Sequence, residues 1–71
     1  MSLKLVRYKP RYREFITEAD TTEEAVKNAA EVNGDQDPAT YRVKDVDLYT
    51  LAVLLIDGRR CEVRDKCVIM E

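Results

Sequence analysis

Residues 51–63 read Leu51-Ala52-Val53-Leu54-Leu55-Ile56-Asp57-Gly58-Arg59-Arg60-Cys61-Glu62-Val63. Six apolar residues run up to an Asp-Gly pair, and a shorter mixed segment follows. Asp-Gly is a favoured centre for a two-residue hairpin turn, because both turn positions must accept positive φ. In that register Leu54 faces Cys61 and Ala52 faces Val63. Leu51, Val53 and Leu55 then share the opposite face with Arg60, Glu62 and Arg64. The same letters carry a second reading, a helix over Leu48 to Asp57 capped by Asp47 and stopped by Gly58, with Leu48, Leu51, Ala52 and Leu55 along one side. Short apolar runs do not separate the two by periodicity. The turn pair tips the expectation toward the hairpin.

Working outward, Thr22 to about Asn33 reads as a helix. Thr21-Thr22-Glu23-Glu24 fits a capping box, in which the Thr21 hydroxyl and the Glu24 carboxylate satisfy each other's backbone N–H groups. Ala25, Val26, Ala29 and Ala30 form a small apolar stripe, with Lys27, Asn28 and Glu31 expected on the polar side, and Gly34 follows as a stop. Leu3 to Tyr8, Tyr12 to Thr17 and Tyr41 to Val46 read as extended, and Cys67-Val68-Ile69-Met70 is a closing two-sided apolar run. Pro10 cannot donate to a ladder, so it marks an edge or a bend between two short strands. The expected fold is α+β over a single domain, residues 1–71. It has a small antiparallel sheet of three to five strands with one helix on one face, in β-α-β-β order with an extra N-terminal strand allowed. That layout resembles, in size and order only, dodecin-like flavin-binding oligomers and small phage-encoded inhibitors of host machinery. The chain holds no tryptophan to stack on a flavin. Met1-Ser2-Leu3 reads as an expression leader.

Composition removes several classes of chemistry. Of 71 residues 37% are charged and 45% hydrophobic, an ordinary globular balance, and the net charge of −2 points to no polyanion or membrane by itself. With no histidine and one serine, Ser-His-Asp and Cys-His catalysis and imidazole metal sites are excluded. The expectation is no enzyme, no metal and no cofactor. Cys61 and Cys67 on one extended strand would lie about 20 Å apart, too far for a disulfide. They read as buried thiols in a cytoplasmic protein. The longest apolar run, six residues, is far too short to span a membrane.

Two surfaces remain as candidates. A strand apolar on both faces, in a protein whose helix offers mainly alanines, leaves surface for a partner. Leu51, Val53 and Leu55 are the expected contact residues, and a second copy of the chain, as a dimer, is the expected occupant. The second is Arg7-Tyr8-Lys9-Pro10-Arg11-Tyr12-Arg13, where cations alternate with aromatics as in single-strand nucleic-acid binders. Strand alternation puts the cations on one face and Tyr8 and Tyr12 on the other, unless Pro10 breaks it. Asp45 and Asp47 would share a face of the third strand, but they fit the ending of a strand or the capping of a helix better than catalysis. The functional expectation is a small homo-oligomeric protein–protein interaction module that acts as an adaptor or inhibitor by occupying a surface. Nucleic-acid binding through residues 7–13 is the alternative.

Overall fold

The computed structural model describes residues 2–56, 58 and 60–71, the side chains of Leu55 and Ile56 excepted. Strands β1 (Ser2–Tyr8) and β2 (Arg13–Ala19) lead into helix α1 (Thr22–Asn33). A 3-10 turn at Pro38–Thr40 then precedes β3 (Tyr41–Asp45), helix α2 (Leu48–Ile56), β4 (Cys61–Arg64) and β5 (Cys67–Met70). The five strands form one antiparallel sheet in the order β3-β1-β2-β5-β4. The expected α+β class, antiparallel sheet and sheet-packed helix are all present. The two strands before α1 match the extra N-terminal strand that the sequence allows; the order differs in the second helix between β3 and β4.

The hairpin expected over 51–63 does not form. Leu51–Ile56 belongs to α2, and Cys61–Arg64 pairs with the strand that follows it. Val63 therefore faces Val68 rather than Ala52, and Cys61 faces Met70 rather than Leu54. Asp57, half of the supposed turn, lies outside the described residues, while Gly58 is left-handed at φ 75°. Local bonds stabilise the helix: Asp47 Oδ1 accepts from the Thr50 N–H at 2.7 Å, and Asp47 O from the Leu51 N–H at 3.0 Å. Cys61–Arg64 instead enters a hairpin with β5 that turns at Asp65-Lys66, where Asp65 is left-handed at φ 52°.

Register explains the two faces of the sheet. Val6 lies between Phe15 and Val43, and Phe15 is also paired with Ile69. These side chains, with Tyr41, Cys67 and Ala19, meet Ala25, Ala29 and Ala30 of α1 in the larger core cluster. Alanines let the helix backbone approach the sheet closely, so the large residues of that core come from the strands. The helix is fixed at both ends. Thr21 accepts from the Glu24 N–H at 3.1 Å, Glu24 accepts from the Asp20 N–H, and Gly34 at φ 89° returns its N–H to Ala30 O at 2.8 Å. Asn28, expected on the polar side, is instead buried against the sheet. It is held there because its Nδ2 donates to Thr17 Oγ1 at 3.0 Å and to Glu18 O at 3.4 Å. On the opposite face Leu5, Ile16, Val46 and Met70 form a smaller cluster, against which Leu51 and Leu54 of α2 pack.

Candidate functional site

α2 leaves the sheet edge directly after β3. Val46 is buried and its N–H donates to Leu3 O at 3.1 Å, which ties the helix entry to β1. The Asp47 carboxyl is held below the usual carboxylate range by its hydrogen bonds from Thr50. From that cap the helix runs Leu-Tyr-Thr-Leu-Ala-Val-Leu-Leu-Ile with no charge. A helix turns about 100° per residue, so Leu51 and Leu54 lie on the packed side while Leu48, Tyr49, Ala52 and Val53 fall on the opposite one. Exposure follows: Leu48 is 76%, Tyr49 79% and Val53 48% accessible, and Ala52 is exposed too.

Of the three expected contact residues, Leu51 is half-buried on the inner side and Val53 is exposed on the outer side. The Leu55 side chain lies outside the described residues. Alternate positions share a strand face but sit about 200° apart on a helix, so the trio does not form one surface. The outer stripe is Leu48, Tyr49, Ala52 and Val53, spaced i, i+1, i+4 and i+5. The helical reading of the same letters could have found its Leu48–Ala52 pair; the strand reading singles out Val53 but not Tyr49.

The basic segment is also redistributed. Residues 9–12 form the β1–β2 turn, with Pro10 inside it, so alternation stops at Tyr8. Tyr8 faces the α1 side, donates its hydroxyl to Asp35 Oδ2 at 2.8 Å and packs on Tyr41 at 5.3 Å between ring centroids. The bond to Asp35, then burial, raises the Tyr8 hydroxyl above its ordinary pKa. Asp35 is lowered first by the Asp37 backbone N–H and next by Tyr8. Arg13 donates to Asn33 Oδ1 at 3.0 Å and pairs with Glu71. Lys9 Nζ donates to Ala39 O at 3.0 Å. Arg11 and Tyr12 are exposed at the turn, Tyr12 at 80%. Arg7 and Tyr8 thus project to opposite faces of the sheet, yet Arg7, Tyr8, Lys9, Arg11, Tyr12 and Arg13 all line one open pocket of about 290 Å³ around the turn.

Arg7 alone points to the α2 side of the sheet, 3.3 Å from the buried Glu14. Directly across from it on β3 is Arg42, and beside them Lys44 pairs with Leu5. Leu5, Arg7, Arg42 and Lys44 line a pocket of about 190 Å³. Like charges opposite each other on neighbouring strands are destabilising. Arg42 and Lys44 were absent from the sequence-based candidates. Their signal was the alternation in Tyr41-Arg42-Val43-Lys44, with Tyr41 buried, Val43 half-buried and both cations exposed.

The cysteines part company. Cys67 is buried, which pushes its thiol up, whereas Cys61 is exposed on β4, contrary to the expectation that both are buried. Neither forms a disulfide. Asp45 ends β3 and pairs with Lys4, while Asp47 caps α2, so the two aspartates have separate local tasks. Among the described residues there is no cluster of three or more His, Cys, Asp or Glu able to hold a metal, and no helix long and apolar enough to cross a membrane. Comparison with protein-family models, curated proteins and solved structures returns no match for this chain.

Proposed function

We propose that the protein is a homodimeric protein–protein interaction module whose self-contact is the outer stripe of α2. The carrying observation is an uncharged, mainly apolar helix that, among the described side chains, packs through Leu51 and Leu54 and exposes Leu48, Tyr49 and Val53 on the other side. Helices apolar all round are normally buried. Charge favours a second copy as the occupant. Asp47 stands at the helix start and Arg60 beyond its end, both exposed, so an antiparallel two-fold pairing brings the acidic end of each helix toward the basic end of the other. The helix dipoles oppose each other in the same arrangement. Ala52, at the middle of the stripe, lets the two backbones come close. The dimer leaves the α1 face and both sheet edges open for the surface occupation expected of an adaptor or inhibitor.

The test is Val53→Glu, which keeps a good helix former at the position. Burial of a valine side chain is worth about 1.5–3 kcal/mol, and a two-fold contact counts it twice, so the dissociation constant should rise roughly a hundredfold or more. Light scattering should report a dimer for the parent and a monomer for the variant, with unchanged circular dichroism. A variant that remains dimeric refutes the reading. So does a parent that is monomeric.

A second reading, contact with nucleic acid or another polyanion, is supported by Arg7, Arg42 and Lys44 around one pocket. It requires affinity that falls steeply with salt, with a shallower slope in Arg42→Ala/Lys44→Ala. Binding to single-stranded RNA that ignores both changes eliminates it.

A further inference from the structure

β3 is an outer strand of the sheet, and the phase of its hydrogen bonds decides which backbone groups it leaves free. Val46 donates its N–H to Leu3 O at 3.1 Å, and Lys9 donates to Thr40 O at 2.9 Å at the other end of the same ladder. Both bonds join residues in direct register, and in an antiparallel ladder such bonded pairs recur at every second position. The register therefore makes Leu5–Lys44 and Arg7–Arg42 bonded pairs as well. Between them Val43, opposite Val6, turns its N–H and C=O away from β1 toward the open edge. The Asp45 N–H and the Tyr41 C=O point the same way, while the Tyr41 N–H is taken by Pro38 O.

Free edge groups are a template for another strand, and cations on an edge strand decide which strand can use it. Arg42 and Lys44 are exposed on the α2 side of the sheet, and their side chains make no ion pair or hydrogen bond among the described residues. Arg7 lies across from Arg42 and adds to the positive field, its guanidinium 3.3 Å from Glu14. A second copy that paired its own β3 here, antiparallel about Val43, would set Arg42 against Lys44 twice, which is unfavourable. An acidic strand is drawn in by the same two cations. When one of its residues lies opposite Val43, the two neighbours fall opposite Arg42 and Lys44, on the cationic face. Those are non-bonded pairs, in which side chains approach most closely. They meet the rim of the pocket of about 190 Å³ lined by Leu5, Arg7, Arg42 and Lys44. The central side chain falls on the other face, beside Val43 and Tyr41. A nucleic acid fits this edge less well, because no aromatic ring lines the cationic pocket to receive a base.

We propose that the β3 edge captures an extended segment of a partner protein with the pattern acid–apolar–acid, through main-chain hydrogen bonds at Val43 and charge pairs at Arg42 and Lys44. The proposal rests on the interaction-module reading, naming the kind of segment captured, and does not need the α2 self-contact.

The probe is a blocked heptapeptide, Thr-Thr-Glu-Val-Glu-Thr-Thr, titrated into the unmodified protein and followed by amide NMR. Saturable shifts are expected at the Val43 and Asp45 N–H groups, both of which should exchange more slowly with solvent in the complex. The peptide with glutamine for both glutamates should bind about tenfold more weakly, because two cross-strand charge pairs are lost. Arg42→Gln/Lys44→Gln should weaken the parent peptide to the same extent, and both positions are exposed, so the fold is kept. Methylating the peptide valine nitrogen keeps both carboxylates but removes the N–H given to Val43 O, and should abolish binding. Absence of shifts at Val43, equal binding of the glutamine or N-methyl peptide, or unchanged binding by the double variant overturns the proposal. Oligouridylate that shifts the same amides at lower concentration assigns the edge to nucleic acid and overturns it too. A dimer that ignores the peptide removes this inference alone, and a monomer that binds it removes the α2 self-contact alone.

Discussion

The two helices rest on opposite faces of one sheet and meet it on different terms. α1, twelve residues long, has a Thr21 N-cap with Glu24 reaching back to the Asp20 N–H, a left-handed glycine stop and a stripe of alanines and Asn28 buried against the strands. Its outer side carries charge, with Glu23, Lys27 and Glu31 exposed. α2, nine residues long, has Asp47 at its start, no charge along its length, and apolar residues both toward and away from the sheet. The first helix is finished by its own monomer. The second has an inner side that the monomer satisfies and an outer side that it does not. The proposed dimer therefore divides the chain, with stability concentrated in the α1 layer and association in the α2 layer.

The contrast is broken or sharpened most strongly at the core. Phe15 is fully buried under α1, and Phe15→Ala should cost about 3–5 kcal/mol, read as a loss of urea midpoint that does not vary with protein concentration. Leu54→Ala, on the inner side of α2, should cost about 2 kcal/mol, because Leu54 is only half-buried. That loss should shrink as concentration rises, since dimerisation stabilises the folded helix by mass action. If the two variants respond alike to concentration, the division between the layers is wrong.

The caps offer a finer comparison. Thr21→Ala and Asp47→Ala each remove an oxygen that accepts a helix N–H, a loss worth about 1 kcal/mol. Thr21→Ala should lower global stability at every concentration. Asp47→Ala should weaken the proposed dimer as well, because in that pairing it removes the acidic end brought toward Arg60 of the second copy.

The smallest effect is in pH. The folded Asp35 pKa is depressed, so its contribution is present above the ordinary carboxylate pKa of about 4 and is lost as pH falls through the folded value. Tyr8 is raised, so its contribution is present below the ordinary tyrosine pKa of about 10 and is lost as pH rises through the folded value. Tyr8→Phe should flatten the stability profile at both ends while leaving the Asp37 N–H on Asp35. An unchanged acid limb in chemical denaturation would show that the Tyr8–Asp35 bond does not form in solution.

What the letters revealed followed from how local each decision was. Thr21, Glu24 and Gly34 carry their instruction within a few residues, and α1 was legible to both ends. Residues 51–56 are apolar at every position, so neither a period of two nor one of 3.6 shows through. The choice there was made by the Asp47–Thr50 bond and by β5, whose Cys67–Met70 claims Cys61–Arg64 as its partner. Asn28 was misplaced because its role answers to a strand end eleven residues away in Thr17. The pocket of Arg7, Arg42 and Lys44 was invisible for the same reason, since it needs the pairing of β1 with β3.

The central claim is that the outer stripe of α2 is a self-contact. It is tested most directly by recording amide NMR spectra of the unmodified protein over a dilution series. The account predicts concentration-dependent shifts that cluster at Leu48, Tyr49, Ala52 and Val53, with smaller ones at Asp47 and Arg60. Spectra that do not change on dilution while relaxation reports an 8.2 kDa particle, or shifts that cluster on the β4 edge instead, would contradict it.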